Sequence, residues 1–262
     1  PRAPTDKWNM WHQGHMDGLL MQLIQKLVAH RNVDPDRVYL TGYSAGGDGV
    51  YQLAPRMADR FAGAAMMAGH PNDASPVGLR NLPFAIRVGA NDNGYDRNKV
   101  ARQWKEKLER FQEQDPDGYK HSVKLPETGH WMNRKEADAL VWMSRHERRT
   151  YPQKIVWKQD NVTHGHMYWL YLPENQRKDD LEIQAECNGQ TITLNAPEGT
   201  EITVYLHDKL VDLDRPVTIE NEDGTELFHG AVERNIAALY ESIFELKHPG
   251  MPFYAKINVT AE

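Results

Sequence analysis

The sequence predicts an α/β chain, with a mostly parallel sheet and helices over residues 1–151 and a smaller β-rich, sandwich-like domain carrying one helix over 152–262. Three observations carry this reading. Short apolar runs at 37–41, 62–69, 82–89 and 121–125 alternate with helix-compatible stretches at 14–30, 48–57 and 97–114, the rhythm that builds parallel sheets. Three of those runs end in loops that carry Ser44, Asp92 and His130, at the edge where open α/β sheets build their sites. After Pro152 helix-length periodicity gives way to short runs of strand character bounded by turn residues.

Taken in order, the first helix spans 14–30, with Met16, Leu19, Leu20, Leu23, Ile24 and Leu27 on its apolar side. Arg37-Val38-Tyr39-Leu40 is a strand that runs into Gly42-Tyr43-Ser44-Ala45-Gly46, a G-x-S-x-G turn followed by a helix-compatible run from Asp48. Gly42 and Gly46 are expected to remove Cβ atoms that would clash where strand reverses into helix, leaving Ser44 strained with its Oγ exposed. Leu82 to Gly89 is the next buried strand, and Ala90-Asn91-Asp92 leaves its end. The helix at 97–114 has Val100, Trp104, Leu108 and Phe111 as its stripe. His121 to Leu125 is a strand, from which Glu127-Thr128-Gly129-His130 departs in a loop.

A serine nucleophile needs a base, and the base needs a group to orient it. His130 is the candidate base and Asp92 the candidate acid, since Asp92 lies nearer its strand end than the competing Asp96. Asp48 stands too close to Ser44 on the following helix to reach across to His130. His70 emerges at the active edge after the apolar segment 62–69, either lining a pocket or bonded to loop backbone. Tyr43, Trp131, Trp8 and Trp11 are substrate-pocket candidates, with core packing as the alternative for the tryptophans.

On these residues the chain resembles the α/β-hydrolase superfamily, most closely its esterase, polyhydroxybutyrate-depolymerase-like, phospholipase/carboxylesterase and dienelactone-hydrolase-like branches. The resemblance covers about residues 1–150. It rests on G-Y-S-A-G-G at 42–47, G-A-N-D at 89–92 and G-H-W at 129–131. It implies hydrolysis of carboxylic esters, on small-molecule or lipid-like substrates, through an acyl-enzyme on Ser44, with the Ala45 amide as one oxyanion donor and no metal or cofactor required. A serine peptidase of the prolyl-oligopeptidase kind uses the same residue order, and a noncatalytic binding protein could keep the fold. Against the superfamily pattern, only one helix precedes the elbow and no His-Gly-Gly type loop is present for a second oxyanion donor. The expectation is therefore that the sequence begins inside the catalytic domain, that residues 1–12 leave a missing strand, and that an upstream segment pairs beside Val38 to Thr41.

A net charge of −6 with pI near 6.1 leaves no basic footprint for nucleic acid. No apolar run approaches the roughly 20 residues needed to span a bilayer. Cys187 is the single cysteine, so an intrachain disulfide is impossible, the compartment stays open, and a small core residue is its expected role. The N-x-[ST] triplets at Asn161 and Asn258 permit glycosylation only in a secretory setting. His164 and His166 are two histidines without a nearby third ligand, a poor start for a zinc site. In the second part strands are expected at 155–157, 167–172, 181–187, 191–194, 201–206, 217–220 and 253–259, a hairpin turn at 221–224 and a helix at 234–246.

Overall fold

A computed structural model describes residues 6–247 and 250–262. Of the expected loop at 1–12, residues 1–5 lie outside the described residues. The chain forms two compact units, Pro1–Arg149 and Thr150–Glu262. No helix among the described residues is long and apolar enough to cross a membrane.

The first unit is built on four parallel strands, β1 (Tyr39–Tyr43), β2 (Gly63–Met67), β3 (Phe84–Arg87) and β4 (His121–Lys124), lying in that order across the sheet. Every residue of β2 and β3 is buried, which explains why they read as continuous apolar runs: central strands of a parallel sheet are covered on both faces. Four helices follow the chain between and around the strands, α1 (His15–Arg31), α2 (Ala45–Arg56), α3 (Arg97–Gln114) and α4 (Asp138–Met143). On one face Tyr51 of α2, Phe84 of β3 and Trp104 of α3 meet ring to ring, the Tyr51 and Trp104 centroids 4.5 Å apart. Alternation along the strands sends Ala65, Met67 and Ala85 the other way, where they pack with Met132 and with Ala139 and Met143 of α4. Arg87 points to that same face. Its buried guanidinium donates to Asp138 and to the carbonyls of Ile86 and Ser122.

Three expectations change in this unit. The stripe of α1 is rotated: Met16 and Ile24 are buried, while Leu19, Leu23 and Leu27 are 49%, 40% and 37% exposed. The cause is Asp17, which turns inward to pair with Arg56 of α2 at 2.6 Å, both side chains buried, and so brings Met16 and Ile24 in with it. Arg37 belongs to a 3-10 turn, Pro35–Arg37, because Asp34 caps it by accepting the Asp36 amide at 2.9 Å; the strand starts at Tyr39. In α3 the fully buried positions are Ala101, Trp104 and Leu108, with Ala101 in place of Val100.

The second unit holds two sheets. One orders β12 (Glu226–Gly230), β11 (Val217–Asn221), β9 (Thr191–Asn195), β8 (Glu182–Asn188) and β5 (Lys154–Lys158); the other orders β13 (Ala255–Thr260), β10 (Glu201–Leu206), β7 (Leu170–Tyr171) and β6 (His166–Met167). All pairs are antiparallel except β9 with β11. Alternate residues of β8, β9 and β13 are buried, the pattern of strands with one face on a core. The run at 167–172 is not one strand: Tyr168, at φ 54°, turns the chain so that β6 and β7 pair as a hairpin. The helix at 234–246 is α5 (Ile236–Tyr240), capped by the Asn235 side chain, continuing into a π turn over Glu241–Glu245. Cys187 is buried, and burial pushes its thiol up to about 11, out of the range of a reactive thiolate.

Candidate active site

Ser44 sits between β1 and α2 at φ 55° and ψ −120°, a conformation that L-residues rarely adopt. Its amide donates to the Met67 carbonyl at 2.9 Å, which ties the turn to the end of β2. The glycines around it have separate reasons. A Cβ on Gly42 would lie 2.1 Å from the Gly46 carbonyl oxygen, and one on Gly47 would lie 2.5 Å from that of Met67. Gly46 would meet nothing within 4 Å, so Gly42 and Gly47, rather than Gly42 and Gly46, are the positions where a side chain cannot fit. Ala45 opens α2, and the first amide to return to the turn is that of Asp48, bonded to the Ser44 carbonyl at 3.0 Å. The amides before it are those a helix start leaves without intrahelical partners.

His130 reaches this serine from the loop after β4. Its Nε2 lies 3.1 Å from Ser44 Oγ, and its Nδ1 lies 2.7 Å from Asp92 Oδ2. Asp92 is 3% exposed and the His130 side chain 42%, so the carboxylate is shielded while the imidazole opens to solvent. With Nδ1 protonated toward Asp92, Nε2 has its lone pair facing the serine hydroxyl. Asp96, the competing acid, is exposed and stands at the start of α3 with φ 55°. The carboxylate that meets His130 is that of Asp92.

The loop carrying Asp92 is pinned along its length. The Asp92 amide donates to Gly89 O at 3.0 Å, the Asn98 amide donates to Asp92 O at 3.1 Å, and the Asn98 side chain donates to Ala90 O at 2.8 Å. A Cβ on Gly89 would lie 2.2 Å from Gly129 O, so the acid and histidine loops touch backbone to backbone. Tyr43 holds the histidine loop from the other side: its hydroxyl donates to the His130 carbonyl at 2.5 Å and its ring meets the imidazole edge-on at 5.9 Å. Burial pushes the Tyr43 phenol above its ordinary range, and the carboxylates of Glu136 and Asp92 push the same way, so it remains a donor. Asn98 carries no sequence signal for this work, because its contacts run to the loop backbone at Ala90 and Asp92 and to the Asn93 side chain.

Trp131 is 62% exposed beside His130 and tilts against Tyr43 at 6.1 Å. Trp11 packs across α2 at Gly49, where a Cβ would lie 2.5 Å from the Trp11 Cβ. Trp8 is 62% exposed and meets His12 edge-on. His70 folds into its own turn, its amide donating to Asp48 Oδ1 at 2.7 Å and its Nδ1 accepting from the Asn72 amide at 2.9 Å. Among the described residues, neither Trp8, Trp11 nor His70 is in hydrogen-bond or ring contact with Ser44, Asp92 or His130. In the second unit His164 is clasped by Gln159, amide to Oε1 at 2.8 Å and carbonyl to Nε2 at 2.7 Å.

No protein-family model matches the chain. Over 52 residues it is 42% identical to poly(3-hydroxyalkanoate) depolymerase C of Paucimonas lemoignei, a match spanning 20% of this chain and 13% of that protein. It is similar to a solved thermostable esterase (18% identity, TM-score 0.39), covering 50% of this chain and 36% of that one. SOBER1 of Arabidopsis thaliana (17%, TM-score 0.38) covers 50% and 62%, and the carboxylesterase of Bacillus cereus (18%, TM-score 0.37) covers 50% and 60%. The chain thus spans less than two thirds of each of these proteins. A parallel sheet that turns into a helix through a strained serine, with an aspartate and a histidine brought to that serine from the ends of later strands, is the arrangement that the α/β-hydrolase resemblance implies.

Proposed function

We propose that the first unit is a serine esterase. The observation that carries this reading is the continuous path from Asp92 Oδ2 to His130 Nδ1 at 2.7 Å and from His130 Nε2 to Ser44 Oγ at 3.1 Å, set on a serine at φ 55°. His130 takes the hydroxyl proton as Ser44 Oγ attacks an ester carbonyl, and Asp92 holds the imidazole in the tautomer that can accept it. The carbonyl oxygen gains negative charge, for which the Ala45 amide at the start of α2 is the donor within this chain. Collapse of the tetrahedral adduct expels the alcohol with the proton held on His130 and leaves an acyl group on Ser44. Water then attacks that acyl group, with His130 as base again. Trp131, beside the histidine, offers an apolar wall for the acyl or alcohol group.

Because the sequence match is to a poly(3-hydroxyalkanoate) depolymerase, short esters of 3-hydroxy acids are the first substrates to try. They belong in a series of nitrophenyl esters of increasing acyl length, with a chromogenic peptide as the competing class. The expected result is turnover of esters over peptide, lowered by Ser44→Ala and His130→Ala by at least about 10³-fold each and by no more in the double variant, since triad members act as a unit. Asp92→Asn lowers it by a smaller factor than either single variant. Ester turnover retained within tenfold in Ser44→Ala removes the assignment, and preference for the peptide replaces esterase with peptidase.

A further inference from the structure

Arg97 occupies a place that the reaction above does not use. Its guanidinium lies 3.7 Å from Asp92 Oδ1, the carboxylate oxygen that His130 does not take, with the Arg97 side chain 13% exposed and that of Asp92 3%. That separation is too long for a hydrogen bond, so what acts across it is charge. Among the described residues Asp92 is the only carboxylate within 4 Å of Arg97. The local backbone is arranged to bring the side chain back over the acid: Tyr95 and Asp96 both take positive φ, at 56° and 55°, immediately before it. The guanidinium then rests over the Tyr95 ring at 4.8 Å and donates from Nη1 to the Gly94 carbonyl at 3.2 Å. A Cβ on Gly94 would sit 3.1 Å from Arg97 Nη1, a close approach. The Arg97 Nε is buried without a hydrogen-bond partner, which marks an arginine held for its charge at the cost of incomplete hydrogen bonding.

We propose that Arg97 is a positioning residue for the Ser44, His130 and Asp92 arrangement: it steers the free oxygen of Asp92 and offsets part of the charge that this carboxylate presents to the imidazole. The proposal rests on the esterase reading for its kinetic form only. Other charged or titratable groups face this corner: Asp96 from the start of α3, Tyr43 from β1, and Glu136 from the 3-10 turn Lys135–Ala137, which acts on Tyr43 together with Asp92. Of the groups named, Arg97 alone is cationic. Its removal leaves the Asp92 field on the imidazole unopposed, favours the imidazolium, and moves the His130 ionisation upward.

The test compares wild type with Arg97→Gln and Arg97→Lys, and with Arg97→Met should the glutamine variant not fold. In kcat/KM against pH on a soluble nitrophenyl ester, the neutral variants shift the acid limb upward by about half a unit or more. They also lower kcat several-fold with KM nearly unchanged, and Arg97→Lys restores the limb. The His130 imidazole resonance, assigned by its loss in His130→Gln, is titrated by NMR in the same proteins and reads the same shift without turnover. An acid limb and an imidazole titration unmoved in a folded neutral variant overturn the proposal. If wild type shows no Ser44-dependent hydrolysis, the esterase reading falls while the imidazole titration still decides the role of Arg97.

Discussion

The two units turn their strands with different residues, and the difference bears on where the proposed site lies. In the second unit the turn from β8 to β9, the approach to β10 and the turn from β11 to β12 use Gly189, Gly199 and Gly224, at φ 62°, 78° and 85°. Glycine enters that region without steric cost. Tyr168, Asp180 and Lys247 are exceptions there. In the first unit the loops at the C-terminal ends of the strands use side-chain-bearing residues: Ser44 after β1, Ala68 after β2, Tyr95 and Asp96 after β3, Asn133 and Arg134 after β4. Such residues cost about 1–3 kcal/mol each and persist only where the surroundings over-determine them. Ser44 is over-determined by its bond to Met67 O and by Gly42 and Gly47, which admit no Cβ. Most positive-φ residues with side chains in the first unit lie at the edge that carries Ser44, Asp92 and His130, with Asn32 and Tyr119, before β1 and β4, as exceptions.

Substituting the glycines themselves sharpens this contrast most strongly. Gly42→Ala forces backbone against backbone and is expected to abolish soluble, active protein or cut activity by more than about 100-fold, as misplacement by an ångström does. Gly46→Ala has open space in a helix and should leave the melting temperature within a few degrees of wild type or above it. In the second unit Gly224→Ala meets no atom yet must hold φ 85°, so it should cost about 1–2 kcal/mol with hydrolysis unchanged. A Gly46→Ala protein as damaged as Gly42→Ala would break the distinction.

Smaller effects concern how the first unit is held together. Burial alone would raise the Asp138 carboxyl, but hydrogen bonds from Arg87 and Lys124 outweigh it and hold it below its unfolded value of 3.8. A carboxyl lowered by folding contributes fully above about pH 4 and loses that contribution as pH falls through the lowered folded value. Asp138→Asn should therefore lower stability at neutral pH and flatten its loss on the acid side, measured as urea midpoints between pH 7 and pH 3; parallel curves for the two proteins would refute the pairing. On α1, Ile24→Ala should destabilise by about 2–4 kcal/mol while Leu23→Ser changes little, since Ile24 is 9% exposed and Leu23 is 40%. The reverse order would restore the leucine stripe as the buried face.

That last pair shows where sequence reasoning stops. Periodicity assigned helix to 14–30 from the leucines, yet which face turns inward depends on Arg56, a residue of another helix that pairs with Asp17. The elbow was legible because local sterics write it: apolar strand, glycine, serine, glycine, helix. Ser44, Asp92 and His130 could be singled out because each leaves the end of an apolar run. Arg97 could not, as its position follows from two positive-φ residues with side chains, Tyr95 and Asp96, that no turn preference announces. The same reason hid the hairpin at Tyr168 inside an unbroken apolar run. Helix α4 escaped because it is only 6 residues long and its exposed Leu140 and Val141 blur the stripe.

The central claim is that Ser44 is an activated nucleophile, and covalent labelling by a fluorophosphonate tests it without any assumption about substrate. Intact mass should rise by one phosphonyl adduct in wild type, mapped by peptide sequencing to Ser44, with labelling absent in Ser44→Ala and slowed at least about 10³-fold in His130→Gln. An unlabelled, folded wild-type protein, or an adduct that persists in Ser44→Ala, would contradict the account.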